Sequence, residues 1–471
     1  MQAVALKTNA PSGSILFVTV ISVVAALGGF LFGFDTAVIS GALSPLISYF
    51  HLESSPVLQG WLVSSIILGS VIGAGVSGYL ADNFGRKNTL MLTAILFLLS
   101  AVGSAVASSF IFFISTRLAG GLAVGIAAMV APLYISEVSP PRIRGRMISM
   151  YQFAVTIGVL VAYFTNDYLR RLSLHAMDNF SSNGIMHWML TDLWRGMLGS
   201  EIIPSFLFFV LLFMVPRSPR FMMMKGHEKE AMDILVRVSG EQTAKREIVE
   251  IREALLKETG SIRQLLMPGL RKATFIALFL SVVSQFSGID IVLHYGPVIM
   301  ERAGFSFANS LFGQIIFGIV LVVFTVMSMW KIDAMGRRRL LFLGNAGVFL
   351  SLLVMGWIFN TAHPSETALI VSISFFIASF AFSLGPIPWI IMAEIFPTKI
   401  RGRAMAIATL VLFAANWLIA QMFPLMSSLL GEGGMFWLLA ALAIPTFFFV
   451  WKVLPETKGK SLEELETLWQ K

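Results

Sequence analysis

The chain has 471 residues, of which 56% are hydrophobic and 13% charged, and it carries 40 phenylalanines, no cysteine and a net charge of +8. A soluble protein could not cover so much apolar surface, and the lack of cysteine excludes disulfides and thiolate metal sites. The excess positive charge sits in short clusters with no soluble basic domain to carry it, which excludes nucleic acid as a partner.

Apolar runs long enough to cross roughly 30 Å of hydrocarbon recur near residues 15–40, 57–81, 88–108, 110–135, 147–167 and 197–215. Six more follow near 272–299, 308–330, 340–360, 367–393, 403–424 and 433–453. The first has a polar start and is too long for a signal-peptide core, so it is expected to be retained. The expected fold is an all-α membrane protein with twelve transmembrane helices in two six-helix halves. The expected units are residues 1–215, an intracellular helical linker at 216–271, a second bundle at 272–454 and a tail at 455–471. In the linker, Met232, Ile234, Leu235, Ile248, Ile251 and Leu255 fall at roughly helical spacing among charges. That pattern predicts short amphipathic helices under the bundle, in a segment too short for an ordinary domain core.

Two strings show that the halves are repeats. Glu137-Val-Ser-Pro-Pro-Arg-Ile-Arg144-Gly145-Arg146 returns as Glu394-Ile-Phe-Pro-Thr-Lys-Ile-Arg401-Gly402-Arg403, and Asp82-Asn-Phe-Gly85-Arg86-Lys87 returns as Asp333-Ala-Met-Gly336-Arg337-Arg338. Paired bundles of this kind are how secondary transporters build a site between them. Basic residues crowd alternate loops, at Arg86 and Lys87, Arg142 to Arg146, the 216–272 segment, Arg337 to Arg339, Lys399 to Arg403 and the tail. Those loops are expected to face the cytoplasm, with both termini inside.

Taken with Gln285-Phe-Ser-Gly288-Ile-Asp290, Gly385-Pro386-Ile-Pro388-Trp389, Asn416-Trp417 and Pro455-Glu456-Thr457-Lys458-Gly459, these strings resemble the sugar porter family of the major facilitator superfamily. The family contains bacterial sugar-proton symporters and animal facilitative glucose transporters. The resemblance implies the major facilitator fold and a substrate site at Gln152, Gln285, Asp290, Trp389 and Asn416, with His294 and Tyr295 beside Asp290 and with Phe32 and Phe380 closing over the ligand. Amides suit sugar hydroxyls because they both donate and accept, and an indole packs on the apolar C–H face. The chain departs from the family at Ser284, Asp290, His294 and Arg217, which replace the usual glutamine, asparagine, tyrosine and glutamate. Asp290 accepts hydrogen bonds when ionised or else carries a proton, so the sugar site itself is a candidate for titration.

Asp82, Arg86, Glu137, Arg144, Asp333, Arg337, Glu394 and Arg401 supply opposite charges at the inner helix ends, and are expected to latch the halves together when the site faces outward. Asp35, Arg117 and Glu201 fall at similar depth in the outer half and form the expected proton-coupling group. The reading is a transporter, not an enzyme, that imports a monosaccharide, hexose or pentose, with a proton by alternating access. A passive facilitator and a non-transporting sugar sensor are the alternatives, and the short stretch after Glu456 argues against the sensor. The partners are sugar, proton and the lipid bilayer. No metal or cofactor is implied, and the chain is expected to work as a monomer in a bacterial inner membrane.

Overall fold

The computed structural model describes residues 14–179, 185–257, 262–267, 269–361, 364–397 and 400–458, and every regular element among them is helical. The first six spans are α1 (Ile15–Tyr49), α2 (Pro56–Phe84), α3 (Arg86–Val106), α4 (Phe110–Val138), α5 (Arg144–Asn179) and, after the short α6 (Ile185–Thr191), a sixth built from α7 (Leu193–Gly199) and α8 (Ile202–Leu211). Three short helices follow, α9 (Pro219–Met224), α10 (Glu228–Ser239) and α11 (Glu241–Lys257), as the amphipathic spacing predicted. The last six spans are α12 (Arg271–Phe286) with α13 (Ile289–Arg302), α14 (Phe307–Met335), α15 (Arg337–Phe359), α16 (Glu366–Phe382) with α17 (Ile387–Ile395), and α18 (Arg401–Lys452).

Among the described residues, eleven helical stretches are long and apolar enough to cross a membrane. The last, α18, has 52 residues, about 78 Å if straight, and Gly431 turns it with φ 71° and ψ 166° so that it crosses twice. The count of twelve follows from that turn, which only glycine adopts without strain.

The apolar run at 272–299 is one span, Arg271–Arg302, made of two helices: α12 ends at Phe286 and α13 restarts after Gly288, whose φ is 89°. A left-handed residue ends the hydrogen-bond ladder, and glycine makes that cheap at membrane depth. A second break falls at Pro386, with α16 ending at Phe382 and α17 starting at Ile387.

Small residues draw the helices together where no hydrophobic drive distinguishes lipid from protein. A methyl built on Gly121 of α4 would lie 2.8 Å from the Gly69 Cα of α2 and closer still to the Ile66 carbonyl. Gly121→Leu should therefore force α2 and α4 apart, at about 1–3 kcal/mol or more, seen as a lower melting temperature in detergent. An unchanged melt would show that the contact gives way without cost.

Candidate functional site

Asp35 of α1, Arg117 of α4 and Glu201 at the start of α8 are withdrawn from solvent, with exposures of 0%, 1% and 1%. Arg117 Nη1 pairs with Asp35 Oδ1, and Nη2 donates to the Asp35 carbonyl at 3.3 Å. The Glu201 carboxyl stands beside that of Asp35. Asp35 Oδ2, Glu201 Oε1 and Ser100 Oγ have no hydrogen-bond partner among the described residues. A methyl built on Gly120 would sit 3.2 Å from Asp35 Oδ2 and nearer still to Ser100 Oγ, so the glycine leaves room for carboxylate and hydroxyl on the same side of α4. Two carboxyl groups and one guanidinium leave one negative charge in excess, which one proton removes. An unbalanced charge is costly at this depth, so the cluster can take up a proton and release it when the geometry changes.

The expected substrate residues flank the two helix breaks. On α13, His294 Nδ1 lies 2.6 Å from the Asp290 carbonyl oxygen, so Nδ1 carries the hydrogen and the buried Nε2 is left as an acceptor without a partner. Gln285 Nε2 donates to Ser284 Oγ at 3.2 Å, while Gln285 Oε1 and Asn416 Oδ1 accept nothing among the described residues. Trp389, just past the second break, packs with Phe32 against Leu412 and Phe413, the rings of Phe32 and Phe413 being 6.2 Å apart. Phe380 lies before that break, against Gly385. Gln152 is exposed on the α5 face that carries Thr156, Leu160 and Tyr163, and no hydrogen bond gathers it to the others.

Three prolines shape these helices, because each removes the N–H that would bond the carbonyl four residues earlier. Every one of those carbonyls takes a hydroxyl from another helix. Tyr163 bonds Leu293 O, freed by Pro297, at 3.1 Å; Tyr295 bonds Ala420 O, freed by Pro424, at 3.0 Å; Ser328 bonds Phe382 O, freed by Pro386, at 3.0 Å.

The profile of the family described as "Sugar (and other) transporter" matches residues 21–469. The arabinose-proton symporter of Bacillus subtilis (strain 168) is 40% identical over 470 residues, 99% of this chain and 98% of the relative. The D-xylose-proton symporter of Escherichia coli (strain K12) is 37% identical over 480 residues, 96% of this chain and 95% of the relative. Among solved structures, the inward open xylose transporter XylE from E. coli matches with a TM-score of 0.82 at 34% identity, over 96% of this chain and 100% of the other. The chain belongs to the sugar transporter family. It is an integral multi-pass membrane protein, and a transporter rather than an enzyme.

In this sugar transporter the first six spans meet the last six through hydrogen bonds away from the basic end. Ser44 Oγ donates to Glu301 Oε2 at 3.0 Å, Ser64 Oγ to Gln421 Oε1 at 2.5 Å, and Gln421 Nε2 to the Val57 carbonyl at 3.0 Å, alongside the Tyr163 bond. At the basic end, Arg86 binds Glu137 at 2.9 Å and Asp82 at 3.1 Å, and Arg337 binds Glu394 at 2.9 Å. These pairs close inside their own set of six, so the expected latch across the halves is not what they form in this conformer. Arg144 and Arg401 bond the carbonyls of Ser139 and Phe396 at 3.4 and 3.2 Å. The side chain of Asp333 lies outside the described residues.

Sequence reasoning missed Ser100, Tyr163, Glu301 and Gln421. Gln421 carried the same signal as Asn416, a lone amide in an apolar run, whereas Ser100 becomes notable only once folding sets it beside Asp35. Tyr295→Phe should leave the Ala420 carbonyl unpaired and lower stability by about 1–3 kcal/mol. A melting curve of the purified variant checks it, and no loss would mean that another donor fills the gap.

Proposed function

We propose that the protein imports a monosaccharide together with a proton by alternating access, with Asp35, Arg117 and Glu201 carrying the proton. The observation that carries the reading is the buried cluster of two carboxyls and one guanidinium, whose charge one proton balances. Gln285, Asp290, His294, Tyr295, Trp389 and Asn416, with Gln152, Phe32 and Phe380, form the sugar site. Its buried acceptors on α12, α13 and α18 lack donors among the described residues, and a polyol supplies them. The relatives named for arabinose and xylose transport favour a pentose. A proton driven by about 2.3 kcal/mol per 100 mV and about 1.4 kcal/mol per pH unit sustains a sugar gradient of about a few hundredfold.

The basic end faces the cytoplasm, with both termini inside, in the inner membrane of a bacterium. Residues 1–215 and 272–454 rock as two bundles joined by the 216–271 linker, and the chain works as a monomer. The hydrogen bonds from Ser44, Ser64, Tyr163 and Gln421 close the outer side, so the state described faces inward. Opening outward breaks them and brings the charged clusters at the basic end together across the halves.

Uptake of labelled pentoses and hexoses into proteoliposomes tests the coupling. Wild type should accumulate sugar only with an inward proton gradient, and Asp35→Asn should lose accumulation while keeping sugar exchange. Equilibration without regard to the gradient would make the protein a facilitator and the Asp35 pair structural. The outer closure has its own test, made clean by the absence of native cysteine. Adding Gln421→Ala to Gln152→Cys should slow labelling by a maleimide from the cytoplasmic side several-fold, and unchanged labelling would reject Gln421 as part of the closure.

A further inference from the structure

Gln314 of α14 is 1% exposed, and neither its Nε2 nor its Oε1 has a hydrogen-bond partner among the described residues. An amide with both ends unbonded is costly in a membrane bundle, so a conformer that gives it a partner gains by it.

Two glycines set its surroundings. A methyl built on Gly296 of α13 would collide with Gln314 Nε2 and lie 3.1 Å from its Cδ, so the amide rests directly on the α13 backbone. One turn further along α14, a methyl on Gly318 would lie 2.9 Å from Leu160 Cδ1 and 3.0 Å from Tyr163 Cδ2 of α5. Residues four apart share a helix face, so Gln314 stands on the face of α14 that meets the Tyr163 ring.

The backbone beside that amide carries the Leu293 carbonyl. Leu293 lies three residues before Gly296, on the same side of α13, and Pro297 deprives its carbonyl of the helical N–H. Tyr163 supplies the missing donor from across the halves, at 3.1 Å. His294, the polar side chain next along α13, has its Nδ1 hydrogen committed to the Asp290 carbonyl. The tyrosine hydroxyl and the idle amide therefore stand by one carbonyl, the first from the first six spans and the second from the last six.

We propose that Gln314 is a positioning residue of the outward-open state, taking the Leu293 carbonyl when Tyr163 withdraws. The closed state forms the tyrosine bond and leaves the amide idle. The open state forms the amide bond and gives the tyrosine hydroxyl to the water that enters. One bond at the proline defect is kept in both, which holds the two states close in free energy. The proposal rests on the reading that the Tyr163 bond helps to close the outer side.

The test uses the full chain carrying Gln152→Cys, followed by maleimide labelling from the cytoplasmic side and by its melting temperature. Tyr163→Phe should slow labelling by about fivefold or more as the outer side is released. Gln314→Met, close in size but without a donor, should restore the original rate when added to Tyr163→Phe. Alone, Gln314→Met should not lower the melting temperature, because the amide it removes is unbonded. The double variant should melt lower than the two single changes sum to, since the Leu293 carbonyl then lacks a donor in both states. Additive melting shifts, with labelling still slow in the double variant, would mean that Gln314 merely packs and would overturn the proposal. Unchanged labelling in Tyr163→Phe would instead remove the outer-closure reading at this bond, and this proposal with it.

Discussion

A backbone carbonyl without a donor inside hydrocarbon costs several kcal/mol, and the arrangement of the site helices follows from where those donors are found. Pro297, Pro386 and Pro424 each free a carbonyl in a helix of the second half. Tyr163, Ser328 and Tyr295 come from other helices to satisfy them. The same bonds that make broken helices tolerable also fix which helix stands beside which. One of them, from Tyr163 to Leu293, crosses between the first and last six spans. Relieving a local defect in α13 thus ties it to the first six spans, and a movement that parts the two sets there has to find that carbonyl another partner.

The buried ionisable groups are divided in a similar way. Asp35, Arg117 and Glu201 have no access to water and cannot all be charged without an excess. The clusters around Arg86 and Arg337 lie at the basic end and are satisfied locally by carboxylates and carbonyls of their own repeat. A protein that must change shape keeps its costly charge in the first place and its exchangeable ion pairs in the second. The Arg86 to Glu137 pair is itself buried, so it too is broken only when another partner compensates, whereas the exposed Asp82 carboxylate exchanges at little cost.

Duplication gives each half the same scaffold, and the departures from symmetry are where the halves differ in task. The buried Asp35, Arg117 and Glu201 cluster has no counterpart among the described residues of the second six spans, and the broken α12 to α13 and α16 to α17 helices have no equally abrupt counterparts among α1 to α5. At the basic end the asymmetry is a single reversal of charge, Arg217 against Glu456.

The sequence by itself determined the spans, the repeat, the linker helices and the family, because hydrophobic length and charged punctuation are local properties that hydrocarbon enforces residue by residue. It also pointed to Asp35, Arg117 and Glu201, since an ionisable side chain inside an apolar run is rare enough to stand out. The break at Gly288 carried only a weak local sign, as one glycine among many in apolar helices. Ser100 beside Asp35, the Gln421 amide between Ser64 and Val57, and the closure of the charged clusters within rather than across the halves were decided by tertiary structure alone. Each depends on which helix faces which, and that choice is made by glycine contacts and by hydroxyls reaching freed carbonyls far away in sequence.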